Sequence, residues 1–345
     1  MQIYFGTLKG LFRATKAIDG WKIDSPKFAG QMVYSIAKNG NRLWSAPFTE
    51  WTGTQISYSD YAGESWNAIA EPIAFPKDTE TALEKVWQIT SNSSGKLFCG
   101  VQPAALFTSD DNGETWDLCR GLWEHPHRKE WNPGYGGLGL HTILPITDKI
   151  LIVAISSGGA YRTEDAGETW TACNQAIVAP FMPDPTSIPE FGQCVHKIAV
   201  DPTNPSLMIL QHHWGVYRSV DVGKTWQNVG ENKLPSDFGF VSVMSGKDTA
   251  FIIPIKADIE RFFPEEKMRV YRTKDAGETW QALANGLPQE GVFDCVLRDS
   301  FHSSGENLAF GTTGGNAYFT SDNGETWDKI AEHLPRITCV RVFES

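Results

Sequence analysis

Short apolar or alternating runs, broken by clusters of turn residues, dominate the chain and predict strands. Residues 194–200, 207–211, 215–218 and 226–229 form the clearest group of four such runs. Asp201-Pro202-Thr203-Asn204-Pro205 supplies the first turn, because proline cannot extend a ladder and asparagine tolerates turn geometry. Between the third and fourth runs stands Ser219-Val220-Asp221-Val222-Gly223-Lys224-Thr225-Trp226. The same phrase, Ser/Thr-x-Asp-x-Gly-x-Thr-Trp, recurs with its tryptophan at Trp116, Trp170, Trp280 and Trp327. A weaker copy ends at Trp66, with Tyr61 in place of the aspartate and Ser65 in place of the threonine.

The glycines of these copies, Gly63, Gly113, Gly167, Gly223, Gly277 and Gly324, recur about every 50 residues. A period of that size, with several short strands per repeat, predicts a β-propeller. Ile3-Tyr4-Phe5-Gly6-Thr7 and Gly10-Leu11-Phe12-Arg13 parallel Leu308-Ala309-Phe310-Gly311-Thr312 and Asn316-Ala317-Tyr318-Phe319, so the chain begins in mid-repeat. Asp19-Gly20-Trp21 is then an eroded seventh turn, and Ile337-Thr338-Cys339-Val340-Arg341-Val342 is expected to supply the strand missing from the first repeat. The predicted fold is all-β: one seven-bladed propeller over 1–345, made of four-stranded antiparallel blades. A C-terminal strand joining the N-terminal blade would close the ring and remove a free sheet edge.

The repeated phrase resembles the Asp-box, or BNR, repeat of sialidases, xyloglucanase-type glycoside hydrolases, sortilin-like receptors and photosystem assembly factors. That resemblance implies a structural role for the boxes, with ligands bound away from them, and a glycosyl-hydrolase-like chain. Sialidases bind their substrate carboxylate with an arginine triad. Here Arg13, Arg162, Arg218 and Arg272 stand beside the turns, which points away from sialidase activity.

Charge narrows the partners. The chain carries 30 Lys+Arg against 41 Asp+Glu, a net charge of -11, with no basic run, so nucleic acid and anionic membranes are not expected partners. No apolar stretch approaches the ~20 residues of a membrane span, and the opening Met1-Gln2-Ile3-Tyr4-Phe5-Gly6 lacks the pattern of a signal peptide. Six scattered cysteines without CxxC spacing read as buried free thiols. Together these features lead to the expectation of a cytoplasmic protein.

Propeller topology puts the Asp boxes at one end of the blades, and the irregular insertions fall at the other. These are 119–139, proline-rich 174–193 and charged 256–267. Aromatic and charged side chains concentrate there, as they do in functional loops. Six of the eight histidines, His125, His127, His141, His196, His212 and His213, map to the same end. Two chemistries follow. Trp51, Trp123, Trp131, Tyr135, His213 and Trp214, with Arg128, offer faces and donors for a sugar, while Glu50, Glu124, Glu130 or Glu190 would serve as acid and base. Alternatively His141, His196 and His212 or His213, with Glu50 or Glu190, would hold a divalent metal ion that polarises the substrate. The expected catalytic set is thus Glu50, Glu124, His141, Glu190 and His196, acting as a hydrolase or lyase on a saccharide-like molecule. A non-catalytic scaffold that binds a ligand or a protein partner is the alternative.

Overall fold

The computed structural model describes residues 1–178, 190–257 and 259–344. Seven antiparallel sheets follow one another along the chain as the blades of a seven-bladed β-propeller. Six have four strands, and the second gains a short fifth, Gly53–Thr54, paired to Arg42–Thr49. The strand Ile337–Phe343 pairs with Gln2–Thr7 in the first sheet, with Ile3 opposite Val342 and Phe5 opposite Val340. The C-terminal strand therefore completes the N-terminal blade as expected. Among the described residues no helix is long and apolar enough to cross a membrane, and all six cysteines are free thiols.

The contacts divide the chain into two compact units. A terminal unit comprises Met1–Gly30, Gln175–Ile188 and His196–Ser345, and a medial unit comprises Gln31–Asn174 and Pro189–Val195. Several strands are buried on both faces, Leu151–Ile155, Gly159–Thr163 and Thr249–Pro254 along their whole length. In the terminal unit Phe251, Phe301, Phe310 and Trp327 pack into one cluster. In the medial unit Trp44, Val86 and Phe107 form one cluster and Leu122, Trp131, Leu140 and Tyr161 another.

Each Asp box is built around one glycine. Its N–H donates to the Ser or Thr hydroxyl four residues earlier in all six copies, at 2.7 to 3.1 Å. The glycine and the residue before it both have positive φ, as in the pair Asn112 (59°) and Gly113 (85°). The aspartate closes the other half of the turn: Asp111 accepts from Thr115 N–H at 2.9 Å and from its hydroxyl at 2.5 Å. The Thr115 hydroxyl and then its N–H lower the Asp111 pKa to about 2. In the weaker copy Ser59 still accepts from Gly63 N–H at 2.9 Å, so the turn survives Tyr61.

The boxes also join neighbouring sheets. A Cβ on Gly113 would lie 2.3 Å from the Trp44 ring of the preceding sheet, and one on Gly277 2.8 Å from Val229. Arg218 reaches Glu278 at 2.7 Å and Arg272 reaches Glu325 at 2.7 Å, each glutamate belonging to the next box. These arginines are structural, as their sequence position implied. Residues preceding the box glycines also bond the first hairpin of their own sheet: Ala166 N–H donates to Lys149 O at 2.9 Å and Ala276 N–H to Asp248 O at 3.0 Å. Box and first hairpin therefore share one end of each blade.

Two substitutions test the turn. Gly113→Ala forces a side chain into Trp44 at a left-handed position and is expected to cost about 1–3 kcal/mol in urea unfolding. Val222, a β-branched residue held at φ 61°, is strained where other copies carry Asn or Ala. Val222→Asn is expected to raise stability by about 1 kcal/mol, seen as a higher melting temperature.

Candidate functional site

In the medial unit the insertion 119–139 is folded by a helical turn, Arg120–Trp123, and a 3-10 turn, Pro126–Glu130. Leu122 is buried and anchors the first turn. Trp123 packs on Phe75, with ring centroids 5.1 Å apart, and carries the Arg128 guanidinium 3.3 Å from its own centroid. Burial against this ring lowers the Arg128 pKa. Arg120 bridges Asp78 at 2.8 Å and Glu124 at 3.5 Å, so Glu124 is part of an exposed ion-pair network.

The second turn delivers two histidines. His125 Nδ1 accepts the His127 N–H at 3.1 Å, which leaves its ring proton on Nε2. Burial, then the neighbouring His127, lowers the His125 pKa. The His127 ring lies 3.4 Å from the Tyr161 hydroxyl through Nδ1 and 3.7 Å from the Glu190 carboxylate through Nε2, with Phe191 against it at 5.1 Å. Trp131 differs from its expected role. It is 5% exposed, and its indole N–H donates to the Tyr161 hydroxyl at 2.8 Å, so its face belongs to the core and not to a ligand. Burial raises the Tyr161 pKa.

A second group in the same unit was not singled out from the sequence. Trp87 and Tyr34 pack at a tilt, with centroids 5.4 Å apart, and the Lys85 ammonium sits 4.4 Å from the Trp87 centroid and 5.2 Å from the Tyr34 centroid. Trp87 N–H donates to Gln102 Oε1 at 3.1 Å, and the Gln102 amide donates to the Glu84 carboxylate. The insertion lies directly over this pair. A Cβ on Gly139 would fall 2.1 Å from Trp87 Nε1 and one on Gly137 2.5 Å from the Gln102 amide. Trp87 lies near the start of Lys85–Ser91, as His141 and His196 lie near the starts of Leu140–Pro145 and Val195–Asp201.

Other medial candidates are dispersed. Trp51 is 95% exposed beside exposed Glu50 on the hairpin of the second sheet, and Tyr135 is 98% exposed at the tip of the insertion. His141 is buried, with Nδ1 3.1 Å from the Thr142 hydroxyl. A shallow depression of about 490 Å³, lined by Thr147, Asp148, Lys149, Ile150 and Glu164, lies at the Asp-box end and carries no aromatic face. Most of the proline-rich segment, 179–189, and Asp258 of the charged insertion lie outside the described residues.

The terminal unit holds an aromatic nest. His196 stacks on Phe240 at 4.3 Å and touches His213 at 5.2 Å, and His213 lies 4.1 Å from Trp214 and 4.8 Å from Phe238. His196 Nδ1 lies 2.6 Å from Gly239 O, which assigns the donor proton to Nδ1. His196 and His213 have nitrogens within 4.8 Å of each other, and Cys194 precedes His196 by two residues. His212 instead accepts the Trp214 N–H at 3.2 Å and lies against Tyr217. His196 and His212 are held neutral, His212 with a pKa of about 3, because burial penalises the imidazolium; Arg298 adds to the effect at His196 and His213 at His212. Neutral imidazoles suit metal ligation and stacking, not proton donation.

Comparison with known proteins adds the following. Residues 107–118 match the BNR/Asp-box repeat family. The chain is 27% identical over 236 residues to an oligoxyloglucan-reducing end-specific xyloglucanase of Emericella nidulans, covering 58% of this chain and 28% of that enzyme. It thus spans less than a third of the length of that relative. Among solved structures, an ancestral GH74 enzyme superposes with a TM-score of 0.56 at 16% identity, covering 87% of this chain and 38% of the other. YCF48 bound to D1 peptide gives 0.55 at 12% identity, covering 86% and 81%. At these identities the two structures share the fold alone.

The buried histidines set a pH dependence. A histidine neutral in the folded state but protonatable near 6.5 when unfolded makes the unfolded state bind more protons as pH falls. Its contribution is present above the unfolded pKa and is lost below it. Between about pH 6 and about pH 4.5 stability should fall by up to about 1.4 kcal/mol per pH unit for each such group. His212→Asn is expected to flatten that slope in urea titrations at several pH values.

Proposed function

We propose that this BNR/Asp-box β-propeller binds a saccharide-like ligand at the loop-bearing end of its medial unit and acts on it as a hydrolase or lyase. The observation that carries the reading is the Tyr34–Trp87–Gln102–Glu84 group beneath the insertion. A flat indole takes the C–H face of a sugar ring, and an adjoining amide and carboxylate match its hydroxyls. Arg128 stacked on Trp123 and exposed Tyr135 are further polar and aromatic groups of the same insertion. Similarity to a xyloglucanase supports the choice of ligand class and of hydrolysis.

Glu190, His127 and Tyr161 are the groups fitted to move a proton. Glycoside hydrolysis needs an acid at the leaving oxygen and a carboxylate at the anomeric carbon or its water. Glu190 is the carboxylate, and His127 between Glu190 and Tyr161 links it to a buried hydroxyl. A second reading, binding without catalysis, is favoured by the exposure of Glu50, Glu124 and Glu190, because a catalytic carboxylate is ordinarily enclosed in a pocket with its substrate.

Calorimetry with xyloglucan-derived oligosaccharides, paired with a reducing-sugar assay, separates the readings. Saccharide binding weakened at least tenfold in Trp87→Ala supports the site. Turnover lowered at least a hundredfold in Glu190→Gln with KM little changed supports catalysis. Binding without turnover identifies a binding module, and absence of binding to any oligosaccharide removes the proposal.

A further inference from the structure

Lys197 on Val195–Asp201, Asp299 just ahead of Phe301–Ser304 and Arg341 on Ile337–Phe343 meet inside the terminal unit. They come from the fifth, seventh and first sheets, in each case from the edge strand farthest from the Asp-box strands or the turn entering it. One Asp299 oxygen takes the Lys197 ammonium, and the other takes Arg341 Nη2 at 2.9 Å. Arg341 Nη1 donates to Val340 O at 2.7 Å. The side chains are 12%, 8% and 11% exposed, mostly enclosed yet reachable from solvent.

The charges in this cluster do not cancel. Among the described residues both cations end on one carboxylate, leaving a net positive charge about nine-tenths out of water. Arg298, adjacent in the chain to Asp299, adds positive potential at Lys197. His302, whose Nδ1 accepts the Val342 N–H at 3.2 Å, sits in the same field and stays neutral through burial and then Arg341. The Lys197 ammonium has three donors, and among the described residues its hydrogen bonding goes to Asp299. An enclosed net charge with spare donors is strongly disfavoured until an anion neutralises it.

We propose that Lys197 and Arg341 form a binding site for a small oxyanion, a carboxylate or a phosphate-type group. Asp299 positions the two cations from behind. A compact ammonium with three donors and a planar guanidinium together supply the donors that such oxygens need. Asp299 also repels the ligand, so it sets a modest affinity that should rise when its charge is removed.

Calorimetric titration of the full chain with inorganic phosphate, sulfate and acetate at constant ionic strength tests the site, with chloride as the control. Saturable one-to-one binding of an oxyanion but not of chloride is expected, and the preferred anion distinguishes phosphate from carboxylate ligands. Lys197→Met, and separately Arg341→Gln, should each weaken it at least tenfold, while Asp299→Asn should tighten it several-fold. Circular dichroism establishes which variants fold, and Lys197→Met alone decides if Asp299→Asn does not. No saturable binding of any oxyanion, or equal affinity in folded Lys197→Met, overturns the proposal.

Discussion

The hydrogen bond from each Asp-box glycine N–H to the Ser or Thr hydroxyl four residues earlier is the constraint on which the blades depend. It holds two successive residues in the left-handed region, which only a glycine occupies without cost at the second position. The turn then presents a surface with no side chain, and the neighbouring sheet fills it, as Trp44 does at Gly113. The aspartate is secondary. The copy with Tyr61 retains the hydroxyl bond, whereas no copy lacks the glycine.

Because that framework occupies one end of six of the seven blades, the other end is free to vary. In the medial unit the variation has been used to place a compact insertion over Trp87 and Gln102, with glycines where it comes closest. Its side chains serve two different ends. Leu122 and Trp131 are swallowed by the core, while Arg128 and His127 remain at its surface, His127 beside Glu190 of a later loop. The terminal unit pairs an aromatic nest around His196 and His213 with a separate cluster of charged groups.

The fold was legible because a turn motif is local: eight residues carry its chemistry, and its spacing counts the blades. Strand pairing of the two termini was legible for the same reason, through the parallel between Ile3–Thr7 and Leu308–Thr312. The candidate site was legible only as a region. Trp131 and Trp87 look alike in sequence, and what separates them is a partner far along the chain, Tyr161 for one and Gln102 for the other. Counting histidines likewise suggested convergence, yet His212 turns to its own loop while His196 meets His213. The Lys197–Asp299–Arg341 cluster joins residues from three sheets, and no local pattern announces it.

Hydrogen–deuterium exchange of the full chain with and without a xyloglucan-derived oligosaccharide is the most direct test of the saccharide site. Protection concentrated in 84–102 and 119–139, with the Asp-box turns unchanged, is the expected result. Protection absent from those segments, or confined to the Asp-box end, would contradict the site.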